Sequence, residues 1–282
     1  MTDAHCHPLD LLEYDKNAEA ERRKTGTAAA ASSASCEEFE YNEELKKKAR
    51  ADGAPPLFCC FALHPQLSPV FLEKGGSGGK SKEGGDGGCR FSLSGGLDYL
   101  EILAAEGRLD AVGECGFDLY DERYRAAEKI QDEMFRCHLD TALHYSLPVI
   151  IHTRRAMHKI FPYAKELKKL PAVVFHSWPG SKGEGEALLK RGVNVFFSFG
   201  SSVCKNRREA VASSALLPVE NLLLETDAPY QPLRGSSFSS WRDLGIICSS
   251  IAALRKDAGS AGSDPVELEE LTSSSFFGVF SR

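Results

Sequence analysis

Six short apolar runs, each ending in or beside a polar residue, alternate with longer helix-compatible stretches along the chain. Uninterrupted apolar strands of this kind are typical of parallel sheets that helices cover on both faces. The alternation therefore favours repeated strand–helix units in an α/β fold. The six runs are residues 57–63, 111–114, 148–152, 172–176, 193–198 and 222–227.

Two further strands complete the pattern, one over residues 2–5 and a weaker one over residues 27–35, whose Ala and Ser residues are poor strand formers. Eight strands with helices between them predict a (β/α)₈ TIM barrel, with the active site at the C-terminal ends of the strands. The predicted helices are residues 11–24, 36–51, 96–106, 122–145, 155–169, 181–191, 205–216 and 240–256. We expect one domain over residues 1–282, with a flexible Gly-rich insertion at about 74–96.

The formal net charge of -6 gives the chain no overall attraction for nucleic acid or for an anionic membrane. A polyanionic substrate would need local cations, such as bound metal ions. The nine cysteines include no Cys-x-x-Cys spacing, and neither a charged-then-apolar leader nor a membrane-length apolar run is present. We therefore predict a soluble, cytoplasmic protein with no membrane partner.

His5 and His7 flank Cys6, so on an extended strand both imidazoles project to the same side. Two imidazoles that converge in this way favour a divalent transition ion, although a surface His-x-His pair is the alternative. Polar residues at other strand ends support the metal site: His64, Glu114, His152, His176 and Asp227. Only a barrel would bring these strand ends to one place. By contrast, His138, His144 and His158 fall in helical stretches and are interpreted as surface or core histidines.

Several segments, in order along the chain, resemble the TatD family of metal-dependent hydrolases. This family lies in the amidohydrolase-like TIM-barrel superfamily, and its members are typically metal-dependent deoxyribonucleases. The segments are residues 3–7 (Asp-Ala-His-Cys-His), 63–65 (Leu-His-Pro), 113–118 (Gly-Glu-Cys-Gly-Phe-Asp), 148–154 (Pro-Val-Ile-Ile-His-Thr-Arg), 175–180 (Phe-His-Ser-Trp-Pro-Gly) and 224–230 (Leu-Glu-Thr-Asp-Ala-Pro-Tyr).

The resemblance implies a centre of two divalent metal ions, either Zn, Mn or Mg. One ion would be held by His5, His7 and Asp227, the second by His152 and His176, and Glu114 would bridge them. Glu114 and Asp227 would also be the catalytic residues, with Asp227 accepting a proton from the attacking water. The resemblance gives second-shell or substrate-binding roles to His64, Arg154 and Asp118, and it places Asp3 to anchor an adjacent strand or a ligand.

The sequence departs from the family pattern around this centre. Residues 231–241 replace a Leu and a later Arg-Asn-Pro segment, Arg155 stands where an acidic residue is common, and Trp178-Pro179 replace Phe-Ser. The predicted metal ligands are nevertheless all present, so we predict a deoxyribonuclease that hydrolyses phosphodiester bonds in DNA. The acidic net charge favours short or single-stranded ends as its substrate. Two alternatives stay open: a hydrolase of another ester, amide or aminoacyl bond, and a metal-binding protein without turnover.

Overall fold

The computed structural model describes residues 1–73 and 92–281. Its eight strands are all parallel and lie in sequence order around one sheet. An isolated bridge between Cys6 and Ala228 joins the first strand to the turn after the last, so the sheet closes into the predicted barrel. The strands are β1 Thr2–Cys6, β2 Ala28–Ser33, β3 Leu57–Phe61, β4 Ala111–Asp118, β5 Val149–Arg154, β6 Val173–Phe175, β7 Val195–Phe199 and β8 Leu222–Leu224.

Helices follow the strands as predicted, but several of the predicted helices are divided. The described residues carry α1 Pro8–Tyr14, α2 Ala18–Thr25, α3 Cys36–Asp52, α4 Ser68–Glu73, α5 Leu93–Ala105, α6 Glu122–Ala126, α7 Glu128–His144, α8 Met157–Ile160, α9 Ala164–Leu167, α10 Lys182–Lys190, α11 Ser201–Cys204, α12 Arg208–Leu216, α13 Asp243–Asp257 and α14 Pro265–Phe280. No helix in the described parts of the chain is both long and apolar enough to cross a membrane.

The divided helices have local causes. The prediction of a continuous helix over residues 155–169 is wrong, because a 3₁₀ turn at Phe161–Tyr163 separates α8 from α9. Pro162 in this turn lacks the N–H that an α-helix needs there. The helix predicted over residues 11–24 breaks between α1 and α2, where the side chain of Asp15 accepts a hydrogen bond from the backbone N–H of Asn17.

The predicted Gly-rich insertion at about 74–96 lies mostly outside the described residues. The predicted end of the insertion, at about residue 96, is too late, because α5 begins at Leu93. The hydroxyl of Ser92 accepts a hydrogen bond from the backbone N–H of Gly95 and so caps this helix. Residues 93–96 therefore belong to the helix.

Side chains inside the barrel are small or aliphatic, and the last helix packs against them. Ala4, Ile150 and Leu223 share one buried cluster with Phe276 and Phe280 of α14. The ring of Phe58, near the start of β3, lies 5.5 Å from that of Phe276. Helix α14 thus closes the N-terminal end of the barrel and leaves the C-terminal end open for a site.

His138 of α7 is a core histidine, as predicted. Its Nε2 accepts a hydrogen bond of 3.0 Å from the backbone N–H of Leu63, and the side chain is fully buried. Burial lowers the pKa of His138 from 6.5 to about 4. As the pH falls, the unfolded chain therefore binds this proton before the folded protein does, and stability is lost between about pH 6.5 and 4.

Replacing His138 by glutamine is expected to remove this part of the acid sensitivity, because the amide oxygen still accepts from Leu63 but does not titrate. Between pH 7 and pH 5 the wild type should lose about 2 kcal/mol more unfolding free energy than the variant. Urea unfolding at both pH values measures the difference. Equal losses in the two proteins would contradict the assignment.

Candidate metal centre

The two histidines of the first strand point to the same side, as predicted. Their Nε2 atoms lie 3.1 Å apart at the C-terminal end of β1, with His5 fully buried and His7 16% exposed. Two acceptor nitrogens at this separation repel each other unless a proton or a cation lies between them. The pair can therefore share either a proton or a bound cation.

Glu114 lies at the middle of the cluster, and its two carboxylate oxygens face two different sets of imidazoles. Oε2 is 3.1 Å from the Nε2 of His5. Oε1 is 2.6 Å from the Nδ1 of His152 and 3.3 Å from the Nε2 of His64. A carboxylate with its oxygens directed this way can bridge two cations.

Asp227 follows β8 and completes the ring of ligand side chains. Its Oδ1 lies 3.7 Å from the Nε2 of His5 and 3.6 Å from that of His7. Its Oδ2 lies 3.7 Å from the Nε2 of His176. The backbone of Asp227 is left-handed, with φ of 52°, an uncommon conformation that turns the chain at the end of the strand.

The imidazoles keep both central carboxylates ionised. Burial raises the pKa of Glu114, but the combined charges of His64, His176 and the other neighbouring imidazoles outweigh it and hold this pKa well below its usual range. Burial likewise raises the pKa of Asp227, while His176 and His7 lower it, and the result is about 2. Both groups are thus anionic ligands at neutral pH.

Two imidazoles are held through their second nitrogen. The Nδ1 of His5 is 3.0 Å from the hydroxyl of Ser32, and the Nδ1 of His176 is 3.1 Å from the Oε2 of Glu225. Because a carboxylate only accepts, Nδ1 of His176 donates, and its Nε2 faces the centre. Such partners orient metal-binding histidines and fix their tautomer.

Asp118 is the charged neighbour of His152 on this side, with its Oδ2 3.5 Å from the Nε2 of that ring, a distance too long for a well-formed hydrogen bond. The sequence suggested this kind of role for Asp118, but it gave none to Ser32 or Glu225. Glu225 did carry a signal, since it is an acidic residue directly after the apolar run of β8 and is fully buried. Nothing in the sequence distinguished Ser32 from other serines.

The donor atoms fit a metal ion. Three overlapping groups of side chains each bring their ligand atoms within 4.8 Å of one another: His5 with His176 and Asp227, His5 with His7 and Glu114, and His64 with Glu114 and His152. All six predicted ligands belong to these groups, and His64, predicted as a second-shell or substrate residue, joins them. Mixed imidazole and carboxylate sets of this kind suit zinc and manganese.

A cavity of about 890 Å³ opens over this centre and is lined by Glu114, His176 and Asp227 among others. Arg154 also lines it. The guanidinium of Arg154 stacks on the ring of Tyr120, with its carbon 3.6 Å from the ring centroid. Stacking leaves the N–H donors free to point along the guanidinium plane, away from the ring.

The match to a family model decides the relationship of this chain to known proteins. The model described as TatD related DNase matches residues 2–281, nearly the whole chain. The chain belongs to this family. The resemblance seen in the sequence motifs is thereby confirmed.

Several curated TatD relatives are named 3'-5' ssDNA/RNA exonuclease. The relative from Escherichia fergusonii is 35% identical over 131 residues, which cover 45% of this chain and 49% of the relative. The relative from Cronobacter sakazakii is 33% identical over 176 residues, which cover 61% of this chain and 65% of the relative. The chain thus spans about half the length of the curated relatives it matches first.

Solved TatD structures share the fold over the whole chain. YJJV, a TatD homolog from Escherichia coli K12, superposes with a TM-score of 0.77 at 23% identity and covers 100% of this chain and 98% of its own. A TatD family hydrolase from Entamoeba histolytica gives a TM-score of 0.76 at 15% identity, with coverage of 100% and 98%. These likenesses establish the barrel.

Proposed function

We propose that this TatD family member is a metal-dependent nuclease that hydrolyses phosphodiester bonds at single-stranded ends of nucleic acid. The observation that carries the proposal is the position of Glu114, whose two oxygens face different groups of imidazoles at the open end of the barrel. The names of the TatD relatives, 3'-5' ssDNA/RNA exonuclease, support the same chemistry.

The ligand assignment is that of the sequence motifs. His5, His7 and Asp227 would hold one divalent ion, His152 and His176 the second, and Glu114 both. Bound Zn²⁺, Mn²⁺ or Mg²⁺ would polarise the phosphoryl oxygen and lower the pKa of the attacking water. The imidazole-rich set favours Zn²⁺ or Mn²⁺.

The protein's own groups would position the substrate and the proton. Asp227 lines the cavity, and its ionised carboxylate would accept the proton of the attacking water. Arg154 and Arg207 also line the cavity and would hold phosphate oxygens. This assigns nucleophile activation to the β8 side and phosphate binding to the β5 and β7 sides.

The charges that line the cavity favour binding of the end of a nucleic-acid strand over binding within a continuous strand. Arg154 lies on β5, whereas Asp10 and Glu38 line the cavity from α1 and α3, which follow β1 and β2. Because the strands lie in order around a closed barrel, β1 is across from β5. Acidic groups on that side would repel further phosphates, so a strand would enter over the arginines and stop at the metal centre.

A panel of labelled substrates tests this proposal. Metal-stripped protein, supplied with Zn²⁺, Mn²⁺ or Mg²⁺ in turn, is incubated with linear single-stranded DNA and RNA, blunt duplex DNA and closed circular single-stranded DNA. We expect the linear strands to shorten stepwise and the circle to stay intact. Rapid cleavage of the circle would contradict action at ends. A lactone and an aminoacyl-tRNA are tested beside these substrates. Turnover of either one alone would favour another hydrolase, and no turnover of any substrate would favour a metal-binding protein.

Replacing Arg154 by alanine should raise the KM for single-stranded DNA by about 10-fold and change kcat by less than about twofold, because a phosphate contact remote from the reacting bond binds ground state and transition state alike. Steady-state kinetics at two salt concentrations measure the effect. Arg123→Ala is the matched control, since Arg123 is exposed and does not line the cavity. An equal rise in KM for the control would point to net charge instead.

We also propose a cytoplasmic location and a single-domain organisation, as the sequence predicted. The cysteines in the described residues form no disulfide with one another, which is usual in reducing compartments. Fractionation of cells that express a tagged protein would test the location.

A further inference from the structure

Gln231 lies in the loop after β8, at the start of the segment 231–241. Its Nε2 is 2.8 Å from the Oδ2 of Asp227 and 2.6 Å from the hydroxyl of Ser177. The amide therefore connects Asp227, in the turn after β8, with Ser177, which follows His176. The sequence alone gave Gln231 no role.

The direction of these hydrogen bonds is fixed by chemistry. The carboxylate of Asp227 only accepts, so the amide nitrogen of Gln231 must face it. The hydroxyl of Ser177 donates to the Oε1 of Glu225 over 2.5 Å and hence accepts from Gln231. Glu225 in turn accepts from the Nδ1 of His176. One chain of hydrogen bonds thus joins two of the proposed metal ligands, Asp227 and His176.

This chain of hydrogen bonds holds Oδ2 of Asp227, which also lies 3.7 Å from the Nε2 of His176, and leaves Oδ1 without such a bond. With Oδ2 held by Gln231, Oδ1 faces the Nε2 atoms of His5 and His7 at 3.7 and 3.6 Å. Ser177 and Asp227 both have left-handed backbones, with φ of 44° and 52°. Such conformations persist only where the surroundings hold them. The bonds from Gln231 are the direct side-chain link between these two strained turns.

We propose that Gln231 is a positioning residue that fixes the rotamer of Asp227 as a metal ligand and couples it to the Glu225–His176 pair. This inference rests on the metal centre of the proposed function. A leucine at this position, the residue usual in the family pattern, has no donor for either bond.

The test replaces Gln231 by leucine and, separately, by methionine, which keeps the length of the side chain but not its hydrogen bonds. Calorimetric titration of the metal-stripped proteins with Zn²⁺ should show affinity weakened by about 10- to 100-fold, the usual effect of losing a partner of a metal ligand. The kcat on single-stranded DNA should fall by a similar factor, with KM changed less than about twofold. Thermal melting of the metal-stripped proteins checks that the variants fold, and the methionine variant carries the test if the leucine variant does not.

A raised KM with unchanged kcat and unchanged Zn²⁺ affinity would overturn the inference, because it would make Gln231 a substrate contact. Unchanged values throughout would overturn it as well. The Zn²⁺ titration needs no substrate, so it also separates the two proposals. If the wild type cleaves no nucleic acid but the variants still bind Zn²⁺ more weakly, the positioning role stands and the nuclease proposal fails.

Discussion

Replacing Glu114 by glutamine is expected to lower metal-dependent phosphodiester hydrolysis by about 10³-fold or more, which corresponds to about 4 kcal/mol of transition-state stabilisation. The two oxygens of Glu114 face separate groups of imidazoles, His5 on one side and His64 and His152 on the other. A glutamine of the same size offers one oxygen and one NH₂ group, and the NH₂ group cannot bind a cation. One half of the centre would therefore lose its anionic ligand.

The measurement is single-turnover cleavage of an end-labelled single strand, together with the metal content of the purified protein by mass spectrometry. Glu209→Gln is the matched control, because Glu209 is an exposed residue at the cavity edge that belongs to none of the metal-binding groups. We expect the control to keep its activity within about twofold. Full activity of Glu114→Gln would exclude Glu114 as a bridging ligand.

Periodicity predicted the strands well because a parallel barrel buries both faces of each strand. Residues 149–151 of β5 and all of β6 are buried, and the hydrophobicity of the two runs alone locates them. The weakest prediction, β2 with its Ala and Ser residues, is also correct. All six of its residues are buried between β1 and β3, so tertiary packing overrides the low strand propensity of alanine.

Helix boundaries were less predictable, since they depend on single backbone hydrogen bonds. Pro162 signals a break in the sequence, yet a hydrophobic pattern continues across it, and only the structure shows the intervening 3₁₀ turn. The start of α5 depended on the cap made by Ser92, which the Gly-rich composition nearby concealed. Composition predicts the class of a segment more reliably than its ends.

The ligands of the site could be predicted, whereas most of their supporting partners could not. In a closed parallel barrel the C-terminal sides of all strands meet at one end. Once the barrel was inferred, His5 of β1, Glu114 of β4, His152 of β5 and Asp227 after β8 were therefore expected to lie together. The contacts of Ser32 and Gln231 depend on rotamers and on the path of a loop. No period in the sequence encodes these, and ordinary polar residues give no sign of them.

Asp3 holds the barrel closed beside the metal centre, in agreement with its predicted anchoring role. It is fully buried, and its Oδ1 accepts from the backbone N–H of Thr226 over 2.9 Å while its Oδ2 accepts from the hydroxyl of that residue over 2.6 Å. The other links between the first strand and the chain after the last include Asp227 N–H to His5 O and His7 N–H to Ala228 O. Asp3 thus contributes two side-chain bonds where few backbone bonds join the strands.

Replacing Asp3 by alanine should accordingly lower the free energy of unfolding by about 3 kcal/mol, since a buried N–H and a buried hydroxyl lose their acceptor. Asp3→Asn should lose only about 1 kcal/mol, because its amide oxygen still accepts from the backbone of Thr226 and its NH₂ group can donate to the hydroxyl. Urea unfolding of the metal-stripped proteins measures both losses without a contribution from metal binding. If the alanine variant proved as stable as the asparagine variant, closure would rest on the backbone bonds alone. A larger loss for the alanine variant than for the asparagine variant would show that Asp3 helps to keep His5 and Asp227 in register. His5 is close in sequence to Asp3, and Asp227 follows its partner Thr226.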